Sequence, residues 1–162
     1  MKINEKGIYM KRIVKIIAVA AVIGLCSGCG DSSAEIDLSA VYSGIAPMAG
    51  DTLVEMNDNY ISNYYGIDVA DLQNYVFAQS DDPTSAETII IFKCQDKEKR
   101  NSYKTAIENA VNQKYDELSN YNQPEEAKLV KASKINTKGD VVYLVISDNA
   151  KDMNKIIKDS IS

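Results

Sequence analysis

Cys26 and Cys29, within Leu25-Cys-Ser-Gly-Cys-Gly30, form a C-x-x-C pair. That spacing suits a redox dithiol or half of a zinc site when a fold presents it, the dithiol usually at a helix N-terminus whose orphan amides depress the thiol pKa. The remaining thiol, Cys94, closes the apolar run Thr88-Ile-Ile-Ile-Phe-Lys-Cys94. A lone cysteine there reads as a small buried hydrophobe, since a nucleophile would need a neighbouring base. The chain holds no histidine, which excludes Ser-His-Asp and Cys-His catalysis and removes the commonest transition-metal ligand. No phosphate loop, dinucleotide-binding glycine motif, nucleophile elbow or EF-hand loop is present. Asp81-Asp82 precedes Pro83, and adjacent carboxylates in such a turn point apart into solvent rather than forming an acid/base dyad. Neither a cofactor nor a metal site is expected.

What would hold the C-x-x-C pair is decided by the residues before it. Lys11, Arg12 and Lys15 precede the uninterrupted apolar run Ile16 to Leu25, and small residues follow. A positive flank, an apolar stretch and small residues are the three parts of a secretory signal peptide. The run falls short of the roughly 20 residues that span a bilayer, so an ordinary signal peptide or an uncleaved anchor is the weaker alternative. Ser27 and Gly28 immediately precede Cys29, and the segment resembles the lipobox of bacterial lipoproteins. The resemblance implies a diacylglyceryl group on the Cys29 sulfur, cleavage between Gly28 and Cys29, and loss of Cys26 with the leader. It departs at Cys26, which stands where the motif usually has Leu. The expected organisation is a signal peptide over residues 1–28, a lipidated cysteine and tether over 29–38, and one domain over 39–162. A start at Met10 would give a more compact leader.

The chain carries 18 Lys+Arg against 23 Asp+Glu. Counted from Cys29 it keeps 134 residues, with 13 basic and 22 acidic side chains, so a nucleic-acid partner is not expected. The charge is uneven, for residues 30–126 hold 18 acids and 6 bases whereas residues 127–162 hold 4 acids and 7 bases. A locally basic quarter follows, in which Lys128, Lys131, Lys134 and Lys138 are the candidate anion-contact face.

Residues 30–38 are small, polar and acidic, a tether reaching roughly 15–18 Å. A short helix is expected over Leu38 to Ala46, ended by Pro47. Thr52-Leu-Val-Glu55 has the form of a capping box, with Leu53, Met56, Tyr60, Ile61 and Tyr64 on one face of a helix that Gly66 closes. Strands are expected over Leu72 to Gln79 and Glu87 to Cys94, then a long helix capped by Asp96 and running to about Asn120. Pro124 starts a short helical turn. Ala132 to Thr137 and Val141 to Ser147 read as a second hairpin around Gly139-Asp140, and Asp148 or Asn149 caps a last helix. Two hairpin-helix units predict an α+β fold, with a four-stranded, mainly antiparallel sheet, helices on one face over a single core, and an additional N-terminal helix.

Tyr65-Gly-Ile-Asp-Val-Ala-Asp-Leu72, Ser85-Ala-Glu-Thr-Ile-Ile-Ile-Phe-Lys93 and Lys138-Gly-Asp-Val-Val-Tyr-Leu-Val-Ile-Ser147 together resemble a family of small lipoproteins of low-GC Gram-positive bacteria known only as a domain of unknown function. The chain departs from that pattern at Asp140 and Val141. The resemblance implies a lipid-anchored α+β domain outside the cytoplasmic membrane and carries no catalytic residues with it. The expectation is therefore a non-catalytic interaction domain on the outer face of that membrane, meeting an envelope protein or a wall polymer. Its competitors are a small-ligand receptor and an enzyme built on carboxylates or tyrosines.

Overall fold

The computed structural model describes residues 36–161. The expected leader, Cys26, and the cleavage and lipidation positions Gly28 and Cys29 lie outside the described residues. Asp37 opens the first helix, α1 (Leu38–Ile45), by accepting from the amides of Ser39 and Ala40, which satisfies orphan donors of its first turn. A 3-10 turn over Ala46–Met48 follows, with Pro47 inside it. Leu53–Glu55 then forms β1, antiparallel to the next strand with Leu53 opposite Ser80 and Glu55 opposite Ala78.

That strand corrects the capping box expected at Thr52. The exposed backbone edge of the neighbouring strand offers Leu53–Glu55 a ladder, and β-branched Val54 suits it. The helix starts later, where the Asn57 side chain accepts from Tyr60 N–H. α2 (Asp58–Tyr60) continues as a π-helical stretch over Ile61–Tyr65 and ends at Gly66, whose φ of 66° is left-handed.

β2 (Asn74–Ser80) and β3 (Thr88–Lys93) make the first hairpin, and α3 (Lys97–Asn120) follows, capped by Asp96. α4 (Pro124–Ala132) is a nine-residue helix, longer than the turn expected there. It takes Ala132 from the residues read as strand, residues 133–135 connect without regular structure, and β4 is confined to Asn136–Lys138. Gly139, at φ 61°, turns the chain into β5 (Val141–Ile146), and α5 (Ala150–Ser160) ends it.

The sheet is α+β in class as expected, antiparallel throughout, but has five strands in the order β1-β2-β3-β5-β4. Helices cover both of its faces, which corrects the one-faced arrangement and the single core. On the first face Phe77, Ile90, Phe92, Val142, Leu144 and Ile146 pack against Tyr103 and Ile107 of α3, Val130 of α4, and Ile61 and Tyr65. On the second, Ile89, Ile91, Val141, Tyr143 and Val145 pack against Leu38, Val41 and Ile45 of α1 and Met153 and Ile157 of α5.

The reason lies in strand parity. β3 ends on Lys93, which shares the second face with Ile89 and Ile91, whereas β5 ends on Ile146 on the first face. Three-residue connections then leave from side chains of opposite orientation. They deliver α3 and α5 to opposite faces.

Candidate functional site

α3 and α4 lie against each other on the first face and leave a groove between them. Its floor is apolar, from Val111 and Tyr115 of α3, Ala127 and Val130 of α4, and Ile135 beyond. Three adjoining depressions of about 320, 320 and 460 Å³ run along it. Lys128 and Lys131 rim the first, Lys131 the second and Lys134 the third, opposite Ser119, Asn112 and Glu108. The helical spacing of Lys128 and Lys131 places both on the outward side of α4, while the buried Ala127 and Val130 face the sheet.

Lys128 Nζ bonds Glu125 Oε1 at 2.6 Å, both being exposed. Such a pair contributes little stability in water, so Lys128 gives it up readily. Neither Lys131 nor Lys134 has an acidic partner at salt-bridge distance among the described residues. Lys138 stands apart from these three. It pairs with Val141 across β4 and β5, which points it to the second face, and its Nζ donates to Lys158 O at 2.9 Å. The structure thus gathers Lys128, Lys131 and Lys134 along one groove and places Lys138 on the other side of the sheet.

A polar cluster that sequence reasoning missed surrounds Glu87, just before β3. The residue is only 5% exposed. Its Oε1 accepts from Gly50 N–H at 3.1 Å and Ser147 Oγ–H at 3.0 Å, while Oε2 is buried without a partner among the described residues. Burial pushes the Glu87 pKa up, the two hydrogen bonds pull it back, and the nearby Asp51 and Asp148 raise it again. Gly50 is there because the approach is close, since a Cβ on it would stand 3.2 Å from Oε1. Asn149 Nδ2–H donates to Met48 O at 2.7 Å, a second tie between the same two segments. The available signal was a carboxylate flush against the apolar run Thr88 to Phe92.

At the other end of the strands Asp71 accepts from Lys99 Nζ and Tyr103 Oη. These bonds, Lys99 first, lower its pKa. Burial and the Asp71 bond push Tyr103 up to about 12. The arrangement clips the segment before β2 to the first turns of α3.

Lys114 lines, with Tyr64 and Tyr65, a chamber of about 10 Å³, the room of roughly one water molecule. Burial lowers the Lys114 pKa, opposed by Glu117 and Glu126. Burial, with Glu117 and Tyr60, raises Tyr64 to about 12.

Cys94 is fully buried, and desolvation raises its thiol pKa, so it packs as a hydrophobe. Asp82 Oδ1 accepts from Thr84 N–H and Oγ–H at 2.8 and 2.7 Å, closing the turn expected at Asp81-Asp82. Among the described residues no group of three or more acidic or cysteine side chains is placed to hold a metal ion, and no helix is long and apolar enough to cross a membrane.

Residues 48–147 match the family model described as a domain of unknown function, DUF4358. The match takes in the sheet and the groove but stops short of α1 and α5, which cover the second face. No curated protein and no solved structure matches the chain.

Proposed function

We propose that this chain, which belongs to the DUF4358 family, is a lipid-anchored, non-catalytic interaction domain that holds an anionic envelope partner in the α3–α4 groove. The observation that carries the contact surface is the groove's construction, an apolar floor rimmed by Lys128, Lys131 and Lys134. The anchor is supported by Ser27-Gly28-Cys29 following a cationic flank and an apolar run. Extracytoplasmic attachment is what lipidation at Cys29 would bring about.

Apolar contact supplies affinity, and the lysines supply register and the preference for negative charge. A wall polymer with regularly spaced phosphates, or an acidic segment of an envelope protein, has that chemistry. Because Lys131 and Lys134 have no acid at salt-bridge distance among the described residues, binding breaks few ion pairs.

Co-sedimentation of the full chain with purified anionic wall polymer tests the reading. The double charge reversal Lys131→Glu/Lys134→Glu is expected to reduce bound protein at least tenfold at low salt, whereas Lys138→Glu leaves it within about twofold. Equal loss from the two variants, or none from the first, contradicts the assignment of the groove. Wild-type binding should weaken as salt rises, because screening shortens the reach of each lysine to about 8 Å at physiological ionic strength.

A further inference from the structure

The strands divide the molecule into two ends of different charge. At one end lie Asn74, Lys93 and Lys138, aligned through Val141. The described chain also begins there, for Asn74 Nδ2–H donates to Ile36 O at 3.4 Å. That end carries the cations Lys93, Lys97, Lys99, Arg100, Lys138 and Lys158 balanced by Asp37, Asp68, Asp71, Asp96, Glu98, Asp140 and Asp159, with Lys93 paired to Asp140 at 3.7 Å and Lys99 to Asp71, so it is close to neutral. The opposite end is built from residues 47–53, 80–87 and 147–149. These hold Asp51, Asp81, Asp82, Glu87 and Asp148 and no Lys or Arg. Hydrogen bonds join the three segments, from Gly50 and Ser147 to Glu87 and from Asp81 N–H to Thr52 O at 3.3 Å.

We propose that the end marked by Asn74, Lys93 and Lys138 sits against an anionic lipid surface, with the acidic loops turned away from it. This rests on the reading of Cys29 as the membrane anchor. Ile36 lies seven residues after Cys29, a link whose reach cannot exceed roughly 25 Å in any conformation. The strands separate the two ends by about 20 Å, so the tether favours the near end. Electrostatics acts in the same sense. Acidic loops brought to anionic headgroups would be repelled, whereas about 20 Å away they lie beyond two screening lengths of about 8 Å. Lys97, exposed in the first turn of α3, can swing toward headgroups while its stem stays on the helix, whereas Lys99 is held by Asp71. The α3–α4 groove then opens sideways, accessible to a polymer running above the bilayer.

The test uses the lipidated full chain bound to vesicles of phosphatidylcholine and phosphatidylglycerol, floated through a density gradient. Single labels at Lys97→Cys and Asp81→Cys report proximity to a headgroup-linked nitroxide quencher, with the parent chain as background. Quenching of the Lys97→Cys label several-fold stronger than that of the Asp81→Cys label is expected. Equal or reversed quenching in protein that floats overturns the orientation while leaving the anchor intact. A Lys97→Cys label shielded from quencher and cross-linked to a second chain would show another copy covering this end, and overturns it too. Protein that fails to float at all removes the anchor, and the orientation with it.

Discussion

Glu87 is the buried carboxylate that joins two segments tied a second time by Asn149 and Met48. Its carboxylate ties Gly50, in the approach to β1, to Ser147, in the connection leaving β5. Truncation by Glu87→Ala leaves a buried N–H and hydroxyl without their acceptor, a loss of about 2–3 kcal/mol, read as a lowered urea midpoint. The pH dependence has a definite sign. Burial raises the folded pKa above the ordinary glutamate value, so the folded state holds the proton more tightly than the unfolded chain does. Stability from this group is full below the unfolded pKa and falls as pH rises through the folded one. Urea titrations of Glu87→Gln should accordingly lose this downward slope above the ordinary glutamate range. A slope identical to wild type would assign the effect to another group. Asp71 has the opposite sign, because Lys99 and Tyr103 depress its pKa. Its contribution is present above the ordinary aspartate pKa and lost on acidification through the depressed one.

At the scale of elements, α3 shows how far a local signal reaches. Its 24 residues bury only the stripe Tyr103, Ile107, Ala110 and Leu118, and its start is fixed by Asp96 Oδ1 accepting from Glu98 and Lys99 amides at 2.8 and 2.9 Å. Asp96→Ala should cost about 1 kcal/mol in chemical denaturation; an unchanged midpoint would mean that packing alone fixes the start. This cap was legible in the sequence because it acts within three residues. The same grammar misled at Thr52-Leu-Val-Glu55, where the deciding partner, the edge of β2, lies some 25 residues away. At Ala132 to Thr137 the helix takes only Ala132, and residues 133–135 stay irregular before the short β4, although their composition suits a strand. The lysines of the candidate site were legible by charge, but their division between two faces follows from the register of Lys138 against Val141, a tertiary fact. Glu87 was hidden for the same reason, since its donors come from far along the chain.

The described residues are built around a sheet buried on both sides. Ile89 to Phe92 and Val141 to Ile146 are continuously buried, without the apolar-polar alternation of a strand with one wet face. Those unbroken runs were the sequence signal for a second covering layer. α1 and α5 supply it, amphipathic elements whose Leu38, Ile45, Met153 and Ile157 are wholly buried. Residues 48–147 expressed alone would leave Ile89, Ile91, Val141, Tyr143 and Val145 uncovered. That fragment should bind a hydrophobic dye and self-associate in light scattering; a monomeric fragment with native unfolding cooperativity would contradict the two-layer account. The two layers also place the start of α1 beside β2, where Asn74 Nδ2–H donates to Ile36 O. The most direct test of the account is the intact mass of the protein extracted from membranes of its own host. A chain beginning at Cys29 and carrying a diacylglyceryl thioether is expected; an unmodified species retaining residues 1–28 would contradict it.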